Sequence, residues 1–382
     1  MRFNTLLKKP AEWMAAPGPH GDIVITSRVR FARNLEHLPF PGWSEEAERR
    51  DALAEIAPAI SGLPEMKDSF SEELSDLTAL QKQVLVERHL ISREHAARGT
   101  GSAVTMNRKQ TLSIMVNEED HLRMQSIQPG LNLKAAYKAL DKIDSQLESN
   151  LHFAFDNDLG YLTACPTNLG TGMRASAMLH LPALVLSEQI NQVIQAANKI
   201  GLAVRGLWGE GTEALANLFQ ISNQSTLGQA EPEIISRLHK VIEQIIENEK
   251  NARYKLVDDR PTMLRDQVGR AYAILRYAHV IPSKEALNLL SMLRLGIDLG
   301  IFSWDEHGLI DTLLMDIQPA HLQVAAKQKL SPLARDTLRA EIMRRKLKSL
   351  PEPSTLPQPG DDDSPDPSDS PEPSDSPDSP DS

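Results

Sequence analysis

The 382-residue sequence holds one cysteine, only 4% aromatic residues, and no apolar run of the roughly 18 residues that a bilayer crossing needs. A single cysteine excludes an intramolecular disulfide framework and suits a reducing compartment. The opening MRFNTLLKKPAEWM lacks the apolar core of a secretory signal, so the expectation is a cytoplasmic protein without a membrane span. Basic residues are absent from the end of the chain. Residues 351–382 carry ten acids and no Lys or Arg, so removing them from the formal charge of −11 leaves −1 for residues 1–350. A nearly neutral body offers no nucleic-acid footprint. The Pro/Ser/Asp-rich tail cannot bury enough apolar surface to offset its ordering entropy, and 351–382 is expected to be disordered. Apolar content of 41% at this length supports two domains with their own cores.

The cysteine opens the densest stretch of the chain, Cys165-Pro166-Thr167-Asn168-Leu169-Gly170-Thr171-Gly172-Met173-Arg174. Pro166 fixes φ, the two glycines let backbone N–H groups approach a ligand, and Arg174 brings a planar fork suited to phosphate oxygens. On composition alone, an ordinary hairpin exit with a buried cysteine explains the stretch equally well. Residues 22–33 alternate as a strand, with Ser27, Val29 and Phe31 on one face and Arg28 and Arg30 on the other. Residues 111–117 read as a strand with Leu112, Ile114 and Val116 toward the core, running into Asn117-Glu118-Glu119-Asp120-His121-Leu122-Arg123. Residues 151–164 read as a hairpin around 156–160. Residues 201–213 read as a short strand followed by a glycine-rich loop bearing Trp208 and Glu210, the composition of a lid.

Helices are expected over 44–60, with Ser44 as N-cap, over 77–90 ending near His89, and over 182–199. From Glu231 the pattern is helical: Ile234, Ile235, Leu238, Val241, Ile242, Ile245 and Ile246 share one face, and further helices are expected near 262–279, 283–298 and 331–348. The last opens with Ser331 as N-cap and Pro332 at the first helical position, and places Arg335 and Arg339 at i, i+4 with Asp336 between them. These spacings give an α+β organisation. Residues 1–255 form a sheet-containing domain, 256–350 a helical domain, and 351–382 the tail.

Four of these segments together resemble the phosphagen kinases, the creatine and arginine kinase superfamily: Ser-Arg-Val-Arg at 27–30 with Arg33, Asn-Glu-Glu-Asp-His-Leu-Arg at 117–123, the Cys165–Arg174 stretch, and Arg-Gly-x-x-Gly-Glu at 205–210. Ser92-Arg93 departs from the family's Ser-Pro. The resemblance implies an antiparallel sheet flanked by helices, ATP with Mg²⁺, and a guanidinium nucleophile. It implies phosphate contacts from Arg28, Arg30, Arg123, Arg174 and Arg205, and His89 against the adenine ring. Glu119 and Glu210 would orient the guanidinium and accept its proton, and a Cys165 thiolate would lie beside it. A guanidinium has a pKa above ~12, so carboxylates are what its chemistry needs.

The first motif arrives at Ser27, leaving no room for the N-terminal helical domain of free-guanidine kinases, and Arg335-Asp336-x-x-Arg339-Ala340 matches a phosphoarginine-binding motif. The resemblance narrows to the bacterial protein arginine kinases (McsB type). It implies protein substrates with accessible arginines, marking for a Clp-type AAA+ protease, a zinc-binding activator protein and a homodimer. A kinase for free arginine and a non-catalytic phosphoarginine-binding adaptor are the alternatives.

Overall fold

A computed structural model describes residues 3–7, 10–15, 18–206, 214–304 and 307–354. Ten strands are present among them: β1 Val24–Arg33, β2 Phe70–Glu73, β3 Ala103–Met106, β4 Leu112–Val116, β5 Leu122–Pro129, β6 Phe155–Asp156, β7 Gly160–Tyr161, β8 Met173–His180, β9 Leu202–Gly206 and β10 Leu218–Asn223. Eight of them form one antiparallel sheet in the order β2-β3-β4-β5-β1-β8-β10-β9, while β6 and β7 form a separate hairpin. β1, first in the chain, therefore lies at the centre.

Alternation along each strand divides the sheet into two faces. Val29, Phe31, Ile114, Met124, Ala175 and Ile221 line one face, where the helices Leu133–Glu148 and Glu231–Asp259 cover them through Leu140, Ile143, Leu238 and Ile242. The opposite face is apolar only toward its margins. Met115 joins Phe70, Val104 and the helix Ala79–Glu87 at one side. Ile127 and Leu218 meet the C-terminal helices Pro261–Tyr277, Ser283–Asp298, His307–Asp316 and Pro332–Lys346 at another. A polar strip remains between them. No helix among the described residues is long and apolar enough to cross a membrane.

Several elements differ from expectation for local reasons. The helix expected from Ser44 spans Glu46–Ser61, with Glu45 as N-cap in a reciprocal capping box with Glu48. Ser44 instead donates its hydroxyl to Pro41 O at 3.3 Å. The single helix expected over 182–199 is two, Pro182–Leu186 and Ile190–Lys199, because Glu188 turns left-handed at φ 60°. The C-terminal region contains two additional helices, His307–Asp316 and Pro319–Ala326. Residues 351–354 are described and attached, with Ser354 N donating to Ile301 O at 2.7 Å; residues 355–382 lie outside the described residues.

The helical region is bonded to the sheet through charged groups as well as through its core. Glu87, which ends the helix before His89, accepts from the backbone N–H groups of Ala320 and His321 at 2.8 and 3.1 Å and from His321 Nδ1 at 2.7 Å. Arg253 pairs with Glu249 at 3.0 Å and Asp298 at 3.4 Å.

Candidate active site

Strand register decides where the five expected arginines meet. Arg30 on β1 faces Arg174 on β8, Ala32 faces Arg123 on β5, and Gln220 on β10 faces both Met178 of β8 and Arg205 of β9. Paired residues of an antiparallel ladder point to the same side, and side chains repeat every second residue. All five arginines therefore share the face opposite Val29 and Phe31, spread over five adjacent strands. Arg33 shares a motif with them but is buried on the other face, where it pairs with Asp144 at 2.6 Å and stacks on Tyr161 at 3.5 Å.

Gathering like charges is unfavourable, and the row shows it. Burial, followed by repulsion from Arg123 and Arg174, lowers the Arg28 pKa to about 10. Burial and then Arg28 hold Arg30 well below its ordinary value. Arg174 is lowered by burial, then by Arg205 and Arg123. Partial neutral contacts exist: Arg28 donates to Gln220 Oε1 at 2.9 Å and Arg174 to Ser222 Oγ at 3.3 Å. The buried Nε groups of Arg30 and Arg174 have no partner. Unspent donors in a positive row fit a polyphosphate.

Two adjacent glutamates close the row beside β5 and have opposite characters. Glu118 is buried; it accepts from Ser92 Oγ at 2.5 Å, Arg123 at 2.6 Å and the Glu119 N–H at 2.9 Å. Burial alone would raise its pKa, but Arg123 and then Ser92 bring it below the usual value. Glu119 is half exposed, 3.7 Å from Arg123, and its pKa is raised by burial and then by Asp120. Glu119 is thus the carboxylate able to take a proton, while Glu118 fixes Arg123. For Arg123, burial opposes the charge, yet Glu118 raises its pKa overall.

Asp120 ties the cysteine loop to this point: its Oδ1 accepts from the Ala164 N–H and from Asn34, both at 2.7 Å. Cys165 is partly exposed, with Sγ 3.1 Å from Thr167 Oγ1. The space that a side chain would take at the two glycines is filled by the protein itself. A Cβ on Gly172 would lie 2.5 Å from Arg33 Nη1, and one on Gly170 would lie 2.9 Å from the Leu227 Cα. Both positions have positive φ, and the absent side chains make room for the protein's own backbone and Arg33.

At the far end of the row, His89 lines a cavity with Trp13, Thr26, Arg28, Met178 and Gln220. The His89 ring lies 6.2 Å from Trp13 at 54°, and burial, then Arg28, lowers its pKa to about 4, leaving a neutral imidazole at pH 7. His89 has φ 57°, held by Leu90 N–H donating to Leu85 O at 2.9 Å and by Gln125 donating to His89 O at 2.7 Å. Trp13, Ser92, Glu118 and Gln220 are site residues that the sequence reading did not single out. Glu118 was within reach as part of an acidic triplet, but spacing does not distinguish it from Glu119.

Glu210 and its loop lie outside the described residues. On the C-terminal helix, Ser331 accepts from Ala334 N–H at 3.2 Å as the expected N-cap. Arg335 and Asp336 are half-buried, but Arg339 is 1% exposed and donates to Ile317 O at 3.1 Å, Ile281 O at 2.9 Å and Asp336 at 2.5 Å. Arg335 and Arg339, four residues apart, therefore differ in exposure: the Arg339 guanidinium is turned inward with its donors used. Arg339 faces inward because two carbonyls at element ends need its donors.

Residues 54–252 match the catalytic-domain model of the ATP:guanido phosphotransferases, and residues 261–358 match the C-terminal domain model of protein-arginine kinase McsB. A protein-arginine kinase of Halothermothrix orenii is 45% identical over 91% of this chain and 99% of its own length. One of Geobacillus stearothermophilus is 46% identical over 91% of this chain and 95% of its own. Among solved structures, a duplicated taurocyamine kinase of Schistosoma mansoni with bound transition-state-analogue components is 30% identical with a TM-score of 0.56. That match covers 65% of this chain and 36% of the duplicated one. A lombricine kinase is 29% identical with a TM-score of 0.54, over 62% of this chain and 68% of its own. The chain belongs to the protein-arginine kinase family of ATP:guanido phosphotransferases.

Proposed function

We propose that the protein transfers the γ-phosphoryl group of Mg-ATP to guanidinium groups of arginines within proteins. The observation that carries this reading is the five-arginine row ending at Glu119. Phosphoryl transfer relies on positioning and on neutralising charge, which the row supplies in its fixed register. A guanidinium gives up a proton as its nitrogen bonds to phosphorus, and Glu119, with its raised pKa, would be the carboxylate that receives it. Glu210 is the second carboxylate by its motif, and Cys165 would lie beside the guanidinium. His89 and Trp13 would hold the adenine ring next to Arg28. No group of three His, Cys, Asp or Glu among the described residues could hold a metal. Mg²⁺ ordinarily keeps waters and bridges phosphates, so it would enter with the nucleotide.

The family resemblance supports a wider reading: phosphoarginine formed in the cytoplasm would mark substrates for a Clp-type AAA+ protease, a zinc-binding activator would assist, and the helical domain would contribute to a homodimer. A phosphoarginine site at Arg335 and Asp336, with Arg339 as the buried residue shaping it, rests on the motif. The test is a kinase assay with Mg-ATP offering an unfolded protein and free arginine in parallel, followed by acid. Acid-labile label on protein and none on free arginine is the expected result. Label on free arginine alone would replace this reading with a small-guanidine kinase.

A further inference from the structure

The cleft does not end at Glu119. It continues as a trough of about 580 Å³, within the range of ligand sites, whose wall beyond the carboxylate is built by Trp43, Glu94, Arg98 and Ala164. Trp43 is 90% exposed, the most exposed large apolar side chain among the described residues. An indole left in water at the mouth of a cleft marks a contact surface.

The backbone beneath the indole is fixed. The N–H groups of Trp43 and Ser44 both donate to Phe40 O, at 2.8 and 3.1 Å, and Arg49 donates to Ser44 O at 2.6 Å. The Phe40 ring meets the His121 ring edge-on at 6.3 Å, two residues beyond Glu119. The turn that carries Trp43 is therefore packed against the segment that carries the reacting carboxylate. Glu94 is exposed and close enough to act electrostatically on Glu119. Arg98, the cation of this wall, already donates to Glu118 O at 2.8 Å.

We infer that this trough seats the polypeptide flanking the target arginine, with Trp43 packing on a neighbouring apolar residue. The inference rests on the protein-arginine reading above and deepens it. Its chemistry follows from what lies next to a guanidinium held at Glu119. In free arginine that neighbour is only an α-carboxylate and an α-ammonium, with no side chain beyond them to cover the indole. In a peptide it is a neutral amide followed by a side chain that can cover the indole.

The test uses the full chain with Mg-ATP and arginine peptides that differ only in the residue beside the arginine, Leu or Gly, together with free arginine. Wild type is expected to prefer the Leu peptide. Trp43→Ala is expected to raise KM for that peptide about tenfold and erase the preference, while kcat and KM for ATP stay within about twofold and Trp43→Phe restores most of the loss. Labelled peptides with no flanking preference and an unchanged KM in Trp43→Ala would overturn the docking surface alone. Label confined to free arginine would overturn the protein-arginine reading and this surface with it.

Discussion

Replacing Glu118 and Glu119 one at a time should separate stability from chemistry in two neighbouring residues of one type. Glu118 is buried and accepts three hydrogen bonds, one of them from the Arg123 guanidinium at 2.6 Å. Glu118→Ala strands that guanidinium and the Ser92 hydroxyl, and breaking a buried charge pair costs about 3–5 kcal/mol. Its lowered pKa sets the sign with pH: the stability Glu118 contributes is present above the unfolded-state value and is lost as pH falls through the depressed folded value. Glu119 has a half-exposed side chain and a single cation at 3.7 Å, so Glu119→Gln should change stability by less than about 1 kcal/mol. Losing the proton acceptor should nonetheless lower kcat by about 10²–10⁴-fold. In wild type the acid limb of kcat should lie above the ordinary glutamate range, because the folded-state pKa of Glu119 is raised and only the deprotonated form accepts the proton. Urea unfolding, thermal midpoints and pH-dependent kcat on protein substrate measure both effects. A Glu119→Gln enzyme with wild-type kcat, or a Glu118→Ala protein of unchanged stability, would refute the division of roles.

Arg30→Met removes a buried cation from a like-charged row, so the ligand-free protein should unfold at a higher temperature while its affinity for ATP falls about 10–150-fold; scanning calorimetry without ligand and titration calorimetry with ATP check the two effects, and a lower midpoint would count against stored repulsion. Arg339→Ala leaves two carbonyls and Asp336 without their donor and should cost about 3 kcal/mol or more, whereas Arg335→Ala should stay within about 0.5 kcal/mol; equal effects in denaturant titrations would return Arg339 to the surface. Glu87→Ala removes the acceptor for Ala320 and His321 two residues before His89, so stability should drop by about 1–3 kcal/mol and KM for ATP should rise; an unchanged KM would show that His89 is held without the helical domain.

The motifs were legible as strings, and the resemblance they carry reached the five arginines, Glu119 and the helical end of the chain. What strings cannot show is register. That Arg30 faces Arg174, and that Gln220, 192 residues on, joins Arg28 to the β9 side, follows from which strands pair. β5 and β8 follow directly on motif residues, and their alternation is interrupted by Ser126 on the core face and by Ile127 and Met178 on the arginine face, which weakens the strand pattern. The helix Leu133–Glu148 was also missed, although Leu133, Ala136, Leu140, Ile143 and Leu147 mark its buried side at helical spacing. At Gly170 and Gly172 the space a side chain would take belongs to Leu227 and to Arg33, neighbours that the sequence does not name. Composition marks that a backbone comes close to something, and only packing says to what.

The chain order of the site also constrains how the protein can be divided. The ATP:guanido phosphotransferase match begins at residue 54, yet Arg28 and Arg30 lie on β1, before it, and Trp13 lies earlier still. β1 is the central strand, pairing β5 on one side and β8 on the other. Without it, two long strands would present unpaired ladders to each other and to other chains. The nucleotide end depends equally on what comes later, since Glu87 and Arg88, the two residues before His89, both bond to His321 of the helical region. Residues before the match and within it therefore meet at one polar strip, the helical region holds the segment that ends at His89, and the phosphate row exists only when the sheet has closed around its first strand.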